Sequence, residues 1–141
     1  MDMDNDYVEW DDDFSVSIPL MDEQHKKLII MINDLFQRCV SGSTSTNLTF
    51  AMAIKDAADY AKTHFQIEEE YLEKAAYPGL GDQKRAHESF MTEVLTTFEK
   101  YKKGEAMPLD LVRFLKKWLL NHIAVSDKKY TSYLAKSDAN K

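Results

Sequence analysis

Four histidines and two acidic residues are the side chains of this sequence whose types and spacing could bind a metal ion. His64 and Glu68 stand four residues apart within a long helical pattern, so they share one helix face. The same face carries a run of apolar residues, which are Phe50, Ile54, Ala57, Ala61, Leu72 and Ala75. A glutamate that points into a core is normally paired or bound to a metal, because an unpaired buried charge is strongly unfavourable.

Each of the four histidines lies on the apolar stripe of a different predicted helix. They are His25, His64, His87 and His122. One histidine on an apolar face is more often a hydrogen-bonded core residue, but four such positions, one for each helix, favour a shared ligand site. Asp127 is a second candidate carboxylate, and it follows His122 by five residues, about 140° around an ideal helix. It can reach the same site only with a local adjustment such as a π-bulge.

The chemistry of these donors favours iron. Imidazole and carboxylate together suit iron, and they suit calcium or magnesium less well. Helical bundles hold di-iron sites between facing helices, although the ferritin-like ones use a Glu-x-x-His motif that this sequence lacks. Zinc would be satisfied by fewer groups, and no cysteine stands at ligand spacing.

Four segments with helical periodicity would position these residues. We predict the first from Pro19–Asp22 to about Val40, the second from about Asn47 to Ala76, and the third from an N-cap at Asp82 to about Lys103. The fourth begins near Pro108, continues to Leu134, and has on one face Leu111, Phe114, Leu115, Trp118, His122 and Val125. With no strand pattern, the sequence predicts an all-α protein, an antiparallel up-down-up-down four-helix bundle.

The acidic residues divide the chain into an arm, a bundle and a tail. The net charge is −6, and the first thirteen residues hold seven acidic and no basic side chains. Without those seven acids the remaining chain has a charge of +1, so the acidity belongs to the N-terminal segment, which we interpret as a solvated leader rather than a partner-binding tail. We expect an extended acidic arm over residues 1–19, the bundle over 20–136 and a frayed tail over 137–141.

Cysteine content and hydropathy indicate the cellular setting. Cys39 is the single cysteine, so no disulfide can form within the chain, and we interpret it as a small core residue. No apolar run approaches the roughly 20 residues of a membrane span, and the acidic N-terminus does not resemble a signal peptide. We therefore expect a cytoplasmic protein that has no membrane partner. The sequence also lacks a basic stripe, so we do not expect nucleic acid as a partner.

Several motifs, taken in order, resemble the hemerythrins, and most of all the single-domain bacterial hemerythrins. They are Trp10-x3-Phe14-Ser15-Val16, Asp22-x-Gln24-His25-Lys26-x-Leu28, His64-Phe65-x2-Glu68-Glu69, Tyr77-Pro78, His87-x2-Phe90 and Trp118-Leu119-x2-His122-Ile123-x3-Asp127-x2-Tyr130. The resemblance extends from about Trp10 to Tyr130, which is nearly the whole chain.

The resemblance implies a non-haem di-iron centre that binds O₂. The implied ligands are His25 and His64 for one iron, His87 and His122 for the other, and Glu68 and Asp127 as bridges beside an oxo or hydroxo bridge. In the family, one iron has only two histidine ligands and keeps an open position. O₂ would bind at that iron, here the one held by His25 and His64, and be held as hydroperoxide. The apolar wall of that pocket would comprise Leu28, Phe65, Trp118, Leu120 and Ile123, residues that ordinary core packing explains equally well.

Gln83 departs from the family pattern, which has a further histidine four residues before the one matching His87. Its amide oxygen is a weaker donor than imidazole, so either Gln83 binds iron or water takes that place. Lower iron affinity would follow at this position, and an exchangeable ligand position could arise there.

Three functions stay open from the sequence. The first is O₂ binding for storage, delivery or sensing, without enzymatic turnover. The second is a di-iron redox enzyme that reacts with peroxide or O₂, and the third is a site with altered metal occupancy and a binding or structural role. A sensor would act through an unidentified protein partner, and the chain would be a monomer or a small homo-oligomer.

Overall fold

The computed structural model describes residues 8–40 and 48–139, and within them every regular element is helical. A short 3₁₀ turn, Asp12–Phe14, precedes the long helices. These are α1 (Pro19–Val40), α2 (Leu48–Lys74), α3 (Leu80–Lys102), α4 (Pro108–Asn121) and α5 (Lys128–Ala139), with a π-helical segment, His122–Asp127, joining α4 to α5. In the described part of the chain, no helix combines the length and the apolar character needed to cross a bilayer.

The helices form an antiparallel four-helix bundle, which confirms the predicted fold class. Helix α1 packs against α2 and α4, and α3 packs against the same two neighbours, so the four helices close a ring. The continuous run of α4, the π segment and α5 acts as the fourth member. Each amphipathic helix turns its apolar stripe inward, as expected for helices that gain most of their stability from packing.

Two predicted helix boundaries differ from the structure. Helix α3 begins at Leu80, after Gly79, so Asp82 lies in its first turn and the prediction of an N-cap at Asp82 is wrong. Helix α2 ends at Lys74 rather than Ala76, because Ala76 has a left-handed φ of 54° that an α-helix cannot continue. The predicted start of that helix, Asn47, lies outside the described residues.

The π segment explains how one acidic residue reaches the bundle interior. A π turn closes over five residues instead of four, so His122 and Asp127 come to lie on the same face and both are buried. The same wide turn rotates Val125 outward, and its side chain is 48% exposed. The prediction that Val125 shares the inward face of His122 is therefore wrong, since it assumed a regular α-helix.

The N-terminal arm is fastened to the bundle by hydrogen bonds to its backbone. Val8 N–H donates to Asn33 Oδ1 at 2.9 Å, and Asn33 Nδ2 donates to the Val8 carbonyl at 2.7 Å. Further along, the Val16 N–H donates to Asp22 Oδ1 at 2.8 Å, while Lys128 Nζ donates to the Ser15 carbonyl at 2.9 Å. The arm thus links the start of α1 to the start of α5.

The described residues include part of the predicted N-terminal arm and part of the predicted tail. The described part of the arm, residues 8–18, includes the 3₁₀ turn, and Trp10 and Phe14 pack half-buried against the core. At the other end α5 continues to Ala139, so three of the five residues assigned to the tail are helical. Cys39 packs against the core, and burial raises the pKa of its thiol to about 11.

Replacing Asn33 with alanine should weaken the attachment of the arm. The buried backbone N–H and C=O of Val8 would lose their partners, which should lower the free energy of unfolding by about 1–3 kcal/mol. Chemical denaturation of the metal-free protein measures this change. The matched control is Gln37→Ala, an exposed amide on the same helix, for which we expect a change within about 0.5 kcal/mol. Equal effects of the two substitutions would contradict the assigned role of Asn33.

Candidate metal centre

One layer of the bundle interior consists almost entirely of polar side chains. His25 comes from α1, His64 and Glu68 from α2, and His87 from α3, while His122 and Asp127 come from the two ends of the π segment. All six are at most 4% exposed. The structure therefore brings together every histidine and both carboxylates that the sequence predicts as ligands.

The histidines form two pairs whose ring nitrogens face each other. His25 Nε2 lies 3.1 Å from His64 Nε2, and His87 Nε2 lies 3.0 Å from His122 Nε2. Two nitrogen ligands at right angles, each about 2.1 Å from a metal ion, lie about 3.0 Å apart. Each pair thus has the spacing of two adjacent corners of a metal coordination shell.

Glu68 lies between the two histidine pairs and presents one oxygen to each. Oε2 lies 3.6 Å from His64 Nε2 and 3.8 Å from His25 Nε2. Oε1 lies 3.0 Å from His87 Nε2 and 4.0 Å from His122 Nε2. Glu68 therefore belongs to both of the three-residue groups that could hold a metal ion.

Asp127, the last residue of the π segment, also presents one oxygen to each histidine pair. Its Oδ2 lies 3.3 Å from His25 Nε2, and its Oδ1 lies 3.2 Å from His122 Nε2. Each carboxylate therefore contacts both histidine pairs. Two metal ions, one at each pair, would share both carboxylates as bridges.

Some of the buried carboxylate oxygens have no hydrogen-bond partner in the described part of the chain, and a bound cation would supply a partner for them. Within the described residues, Glu68 Oε1 and Asp127 Oδ2 are buried without a hydrogen-bond partner. A buried carboxylate oxygen without a partner is costly, and a metal ion would satisfy it. A set of four imidazoles and two carboxylates suits iron and other first-row transition metals.

Three further side chains orient the ligands. Gln24 Oε1 lies 2.6 Å from His64 Nδ1, and Glu69 Oε2 lies 2.8 Å from His87 Nδ1, so each ring can donate there and leave Nε2 free for a metal. Tyr130, which is fully buried, donates its hydroxyl to Glu68 Oε2 at 3.0 Å. Sequence reasoning did not assign these roles, although all three residues stand within the quoted motifs.

Gln83 borders the cluster as a hydrogen-bond donor. Its Nε2 lies 3.2 Å from Asp127 Oδ1 and 3.1 Å from the Ser126 carbonyl oxygen. Both neighbours can only accept, which assigns the NH₂ group to this side of the amide. The amide oxygen, Oε1, is buried and has no hydrogen-bond partner among the described residues.

Burial and nearby charges lower the pKa of two of the four imidazoles and raise the pKa of the other two. Burial lowers the pKa of His64 to about 4 and that of His122 to about 3, where the nearby imidazoles add to the effect. Burial also acts against protonation of His25, but the neighbouring carboxylates of Asp127 and Glu68 raise its pKa to about 9. The pKa of His87 is raised as well, because Glu68 and Glu69 outweigh its desolvation.

The two carboxylates also differ. Burial and the charge of Glu68 raise the pKa of Asp127 to about 6. The pKa of Glu68 is lowered, since the neighbouring imidazoles of His25 and His87 outweigh its burial. Beside these buried carboxylates, the pKa of His25 and that of His87 are both raised.

An apolar layer lies one helical turn away from the ligand layer. Leu28 follows His25 by three residues, Ala61 precedes His64 by three, Phe90 follows His87 by three, and Trp118 precedes His122 by four. These residues surround a cavity of about 20 Å³, together with Ile32, Ala57, Ala58, Phe65, Leu115 and Leu119. Phe65 stacks on His87 at 3.9 Å between ring centroids, and Trp118 stacks on His122 at 4.5 Å.

Three of the five residues predicted as an apolar wall line this cavity, namely Leu28, Phe65 and Trp118. Leu120 is half-buried and Ile123 fully buried in the core, and neither lines it. Leu120 lies two residues after Trp118, about 200° around the helix, which turns it away from the cavity. Leu115 and Leu119 occupy that face instead.

A four-helix bundle with a buried layer of histidines and carboxylates is typical of one class of helical metal-binding proteins, and this chain has both features. The family profile of the Hemerythrin HHE cation binding domain matches residues 16–134 of this chain. The chain belongs to the hemerythrin family.

Individual relatives and solved structures agree with this assignment. The chain is 34% identical to a bacteriohemerythrin of Stenotrophomonas maltophilia over 121 residues, covering 86% of this chain and 77% of the relative. It is 33% identical to a hemerythrin-like protein of Naegleria gruberi, covering 89% of this chain and 92% of the relative. A crystal structure of wild-type hemerythrin superimposes with a TM-score of 0.79 at 28% identity, covering 89% of this chain and 95% of that one.

Metal affinity should rise with pH between about pH 7 and pH 9. The raised pKa of His25, about 9, means that this ring keeps its proton below that pH, and a metal ion has to displace it. We expect an increase of about tenfold per pH unit for each proton displaced. Competition between the protein and a coloured chelator for Co²⁺ measures this slope. His64 and His122 are already neutral in this range, so they do not contribute to the slope. An affinity that does not change with pH would contradict the role of His25 as a ligand that loses a proton when the metal binds.

Proposed function

We propose that this protein binds O₂ reversibly at a pair of non-haem iron ions, for O₂ storage, delivery or sensing. The observation that carries this proposal is the way in which Glu68 and Asp127 each present one oxygen to each histidine pair. Two equivalent groups of nitrogen donors joined by two carboxylates suit two metal ions with a shared oxo or hydroxo bridge. Ferrous ions held by these residues would supply the redox chemistry that O₂ binding requires.

In this proposal, His25 and His64 would hold one iron, and His87 and His122 would hold the other. Glu68 and Asp127 would be shared by the two ions and would neutralise part of their charge. Gln24 and Glu69 keep two of the imidazoles oriented with Nε2 toward the metal.

The surroundings of the centre supply an apolar side that small uncharged molecules can occupy. The cavity beside Phe65 and Trp118 has no polar lining side chain among the described residues, and its volume of about 20 Å³ suits a diatomic molecule. Aromatic rings stacked on His87 and His122 exclude water from that side of the ligands. Exclusion of water slows the loss of bound, reduced oxygen, which a reversible carrier requires.

A redox enzyme that reacts with peroxide or O₂ is the second candidate function. The observation that favours it is Gln83, which stands beside the His87–His122 pair without adding an imidazole. A cytoplasmic location and a monomeric or small oligomeric state stay predictions from the sequence.

Anaerobic reconstitution with ferrous iron tests the proposed function. We expect two iron ions per chain and, on admission of O₂, a visible charge-transfer band that disappears on deoxygenation and returns over repeated cycles. Two irons with immediate, irreversible oxidation and turnover of peroxide would favour the enzyme instead. One metal ion per chain, or none, would overturn both functions.

Glu68→Ala should abolish the paired site, because it removes an oxygen from each metal group and leaves two cations without their shared carboxylate. We expect iron binding to fall from two ions to at most one per chain, as measured by metal analysis after gel filtration. Glu70→Ala, an exposed glutamate on the same helix, is the matched control and should keep two. A Glu68→Ala protein that still holds two coupled irons would refute the bridging role.

A further inference from the structure

The two histidine pairs offer the same set of donors to a metal ion. Each pair supplies two imidazoles and is joined by one oxygen from Glu68 and one from Asp127. The first position is formed by His25 and His64, and the second position by His87 and His122. Because the donors are alike, we expect a difference in metal affinity to arise from the residues that contact the ligands.

The two shared carboxylates do not favour either position. Tyr130 donates a hydrogen bond to Glu68 Oε2, the oxygen that faces the first position. Gln83 donates one to Asp127 Oδ1, the oxygen that faces the second position. The other oxygen of each carboxylate has no hydrogen-bond partner among the described residues. Each position therefore meets one oxygen that shares a hydrogen bond and one that does not.

The imidazoles, in contrast, differ in the group that faces Nδ1. At the second position, His87 Nδ1 lies 2.8 Å from Glu69 Oε2, a carboxylate oxygen. At the first position, His64 Nδ1 lies 2.6 Å from Gln24 Oε1, the oxygen of a neutral amide. The other ring of the first position, His25, has a buried Nδ1 without a partner in the described part of the chain.

A metal ion bound at Nε2 makes the acceptor at Nδ1 important. A neutral imidazole that binds through Nε2 carries its proton on Nδ1, so this N–H needs an acceptor. A hydrogen bond to a carboxylate is roughly twice as strong as one between neutral groups, and it makes the ring a more basic ligand. At His25 the same binding would leave a buried N–H without an acceptor, which is unfavourable.

Glu69 stands at the edge of the ligand layer, where water reaches it. Its side chain is 24% exposed, whereas Glu68 and Asp127 are at most 1% exposed. It lines an open cleft between α2 and α3, together with Lys62 and Lys84. The charge of this carboxylate is therefore solvated on one side while Oε2 contacts His87 on the other.

We propose that Glu69 makes the second position the tighter metal site, so that a first metal ion binds at His87 and His122 and the first position fills afterwards. The proposal rests on the centre for two metal ions given above. Glu69 would act through His87 as a positioning residue, without touching the metal itself. At limiting iron, chains would therefore hold single ions at the second position before the pairs are complete.

Crystals of the full-length protein prepared with one equivalent of Zn²⁺ test this order without any redox chemistry. Anomalous diffraction at the zinc edge should show a peak at the second position and little or none at the first. Equal peaks, or a stronger peak at the first position, would overturn the proposal.

A second set of crystals with excess Zn²⁺ separates this inference from the proposed function. We expect both positions to be filled. Two filled positions with the wrong order at one equivalent would overturn only the role of Glu69. A single zinc ion at saturation would overturn the centre for two metal ions as well.

Glu69→Gln tests the charge apart from the orientation, because it keeps an oxygen acceptor of similar size at Nδ1. We expect the affinity for the first Zn²⁺ ion, measured by competition with a coloured chelator, to fall roughly tenfold. Glu70→Gln removes the same charge from an exposed neighbour and should bind like the unmodified protein. An unchanged affinity in Glu69→Gln would mean that Glu69 only orients His87, and would overturn the proposal.

The double variant Gln24→Glu/Glu69→Gln exchanges the two acceptors. With one equivalent of Zn²⁺, we expect the occupancy of the first position to rise relative to that of the second. Circular dichroism of the metal-free variant checks that the helices are retained. An occupancy ratio equal to that of the unmodified protein would show that these acceptors do not set the order of binding, and would overturn the proposal.

Discussion

Two carboxylates buried among four imidazoles are the constraint on which the rest of this structure depends. Glu68 and Asp127 are at most 1% exposed, and a charge in such a place must be compensated. Part of the compensation comes from neighbouring imidazoles, since the carboxylates raise the pKa of His25 to about 9 and also raise that of His87. Two divalent cations would supply more of it and would also satisfy the carboxylate oxygens that lack a hydrogen bond.

The elements around the ligand layer serve to hold this arrangement in place. The apolar core lies on one side, and a second apolar cluster containing Val16, Met21, Leu72 and Tyr130 lies on the other. Val16 belongs to the N-terminal arm, whose hydrogen bonds reach both α1 and α5. The arm therefore helps to close the end of the bundle at which the π segment positions Asp127.

Helical periodicity was sufficient to predict the bundle and the inward position of all four histidines, because each ligand sits in phase with apolar neighbours. The spacing of His122 and Asp127 also indicated a distorted helix, since five residues do not return to one face of an α-helix. The consequences of that distortion were not predictable in detail. The outward position of Val125 follows from the wider turn, which a regular pattern does not contain.

Long-range contacts account for most of what the sequence could not reveal. Gln24 precedes His25 in the chain but contacts His64, forty residues away, and Glu69 contacts His87 on the next helix. The orientation of the Gln83 amide depends on Asp127 and Ser126, more than forty residues later in the chain. Such pairings are set by how the helices pack, so they become visible only in three dimensions.

The most direct test of the central claim is a crystal structure of the iron-loaded protein with anomalous diffraction recorded at the iron edge. We predict two iron peaks between Glu68 and Asp127, one at the His25–His64 pair and the other at the His87–His122 pair. A single peak, or iron bound away from this layer, would contradict the account that these six side chains form one centre for two metal ions.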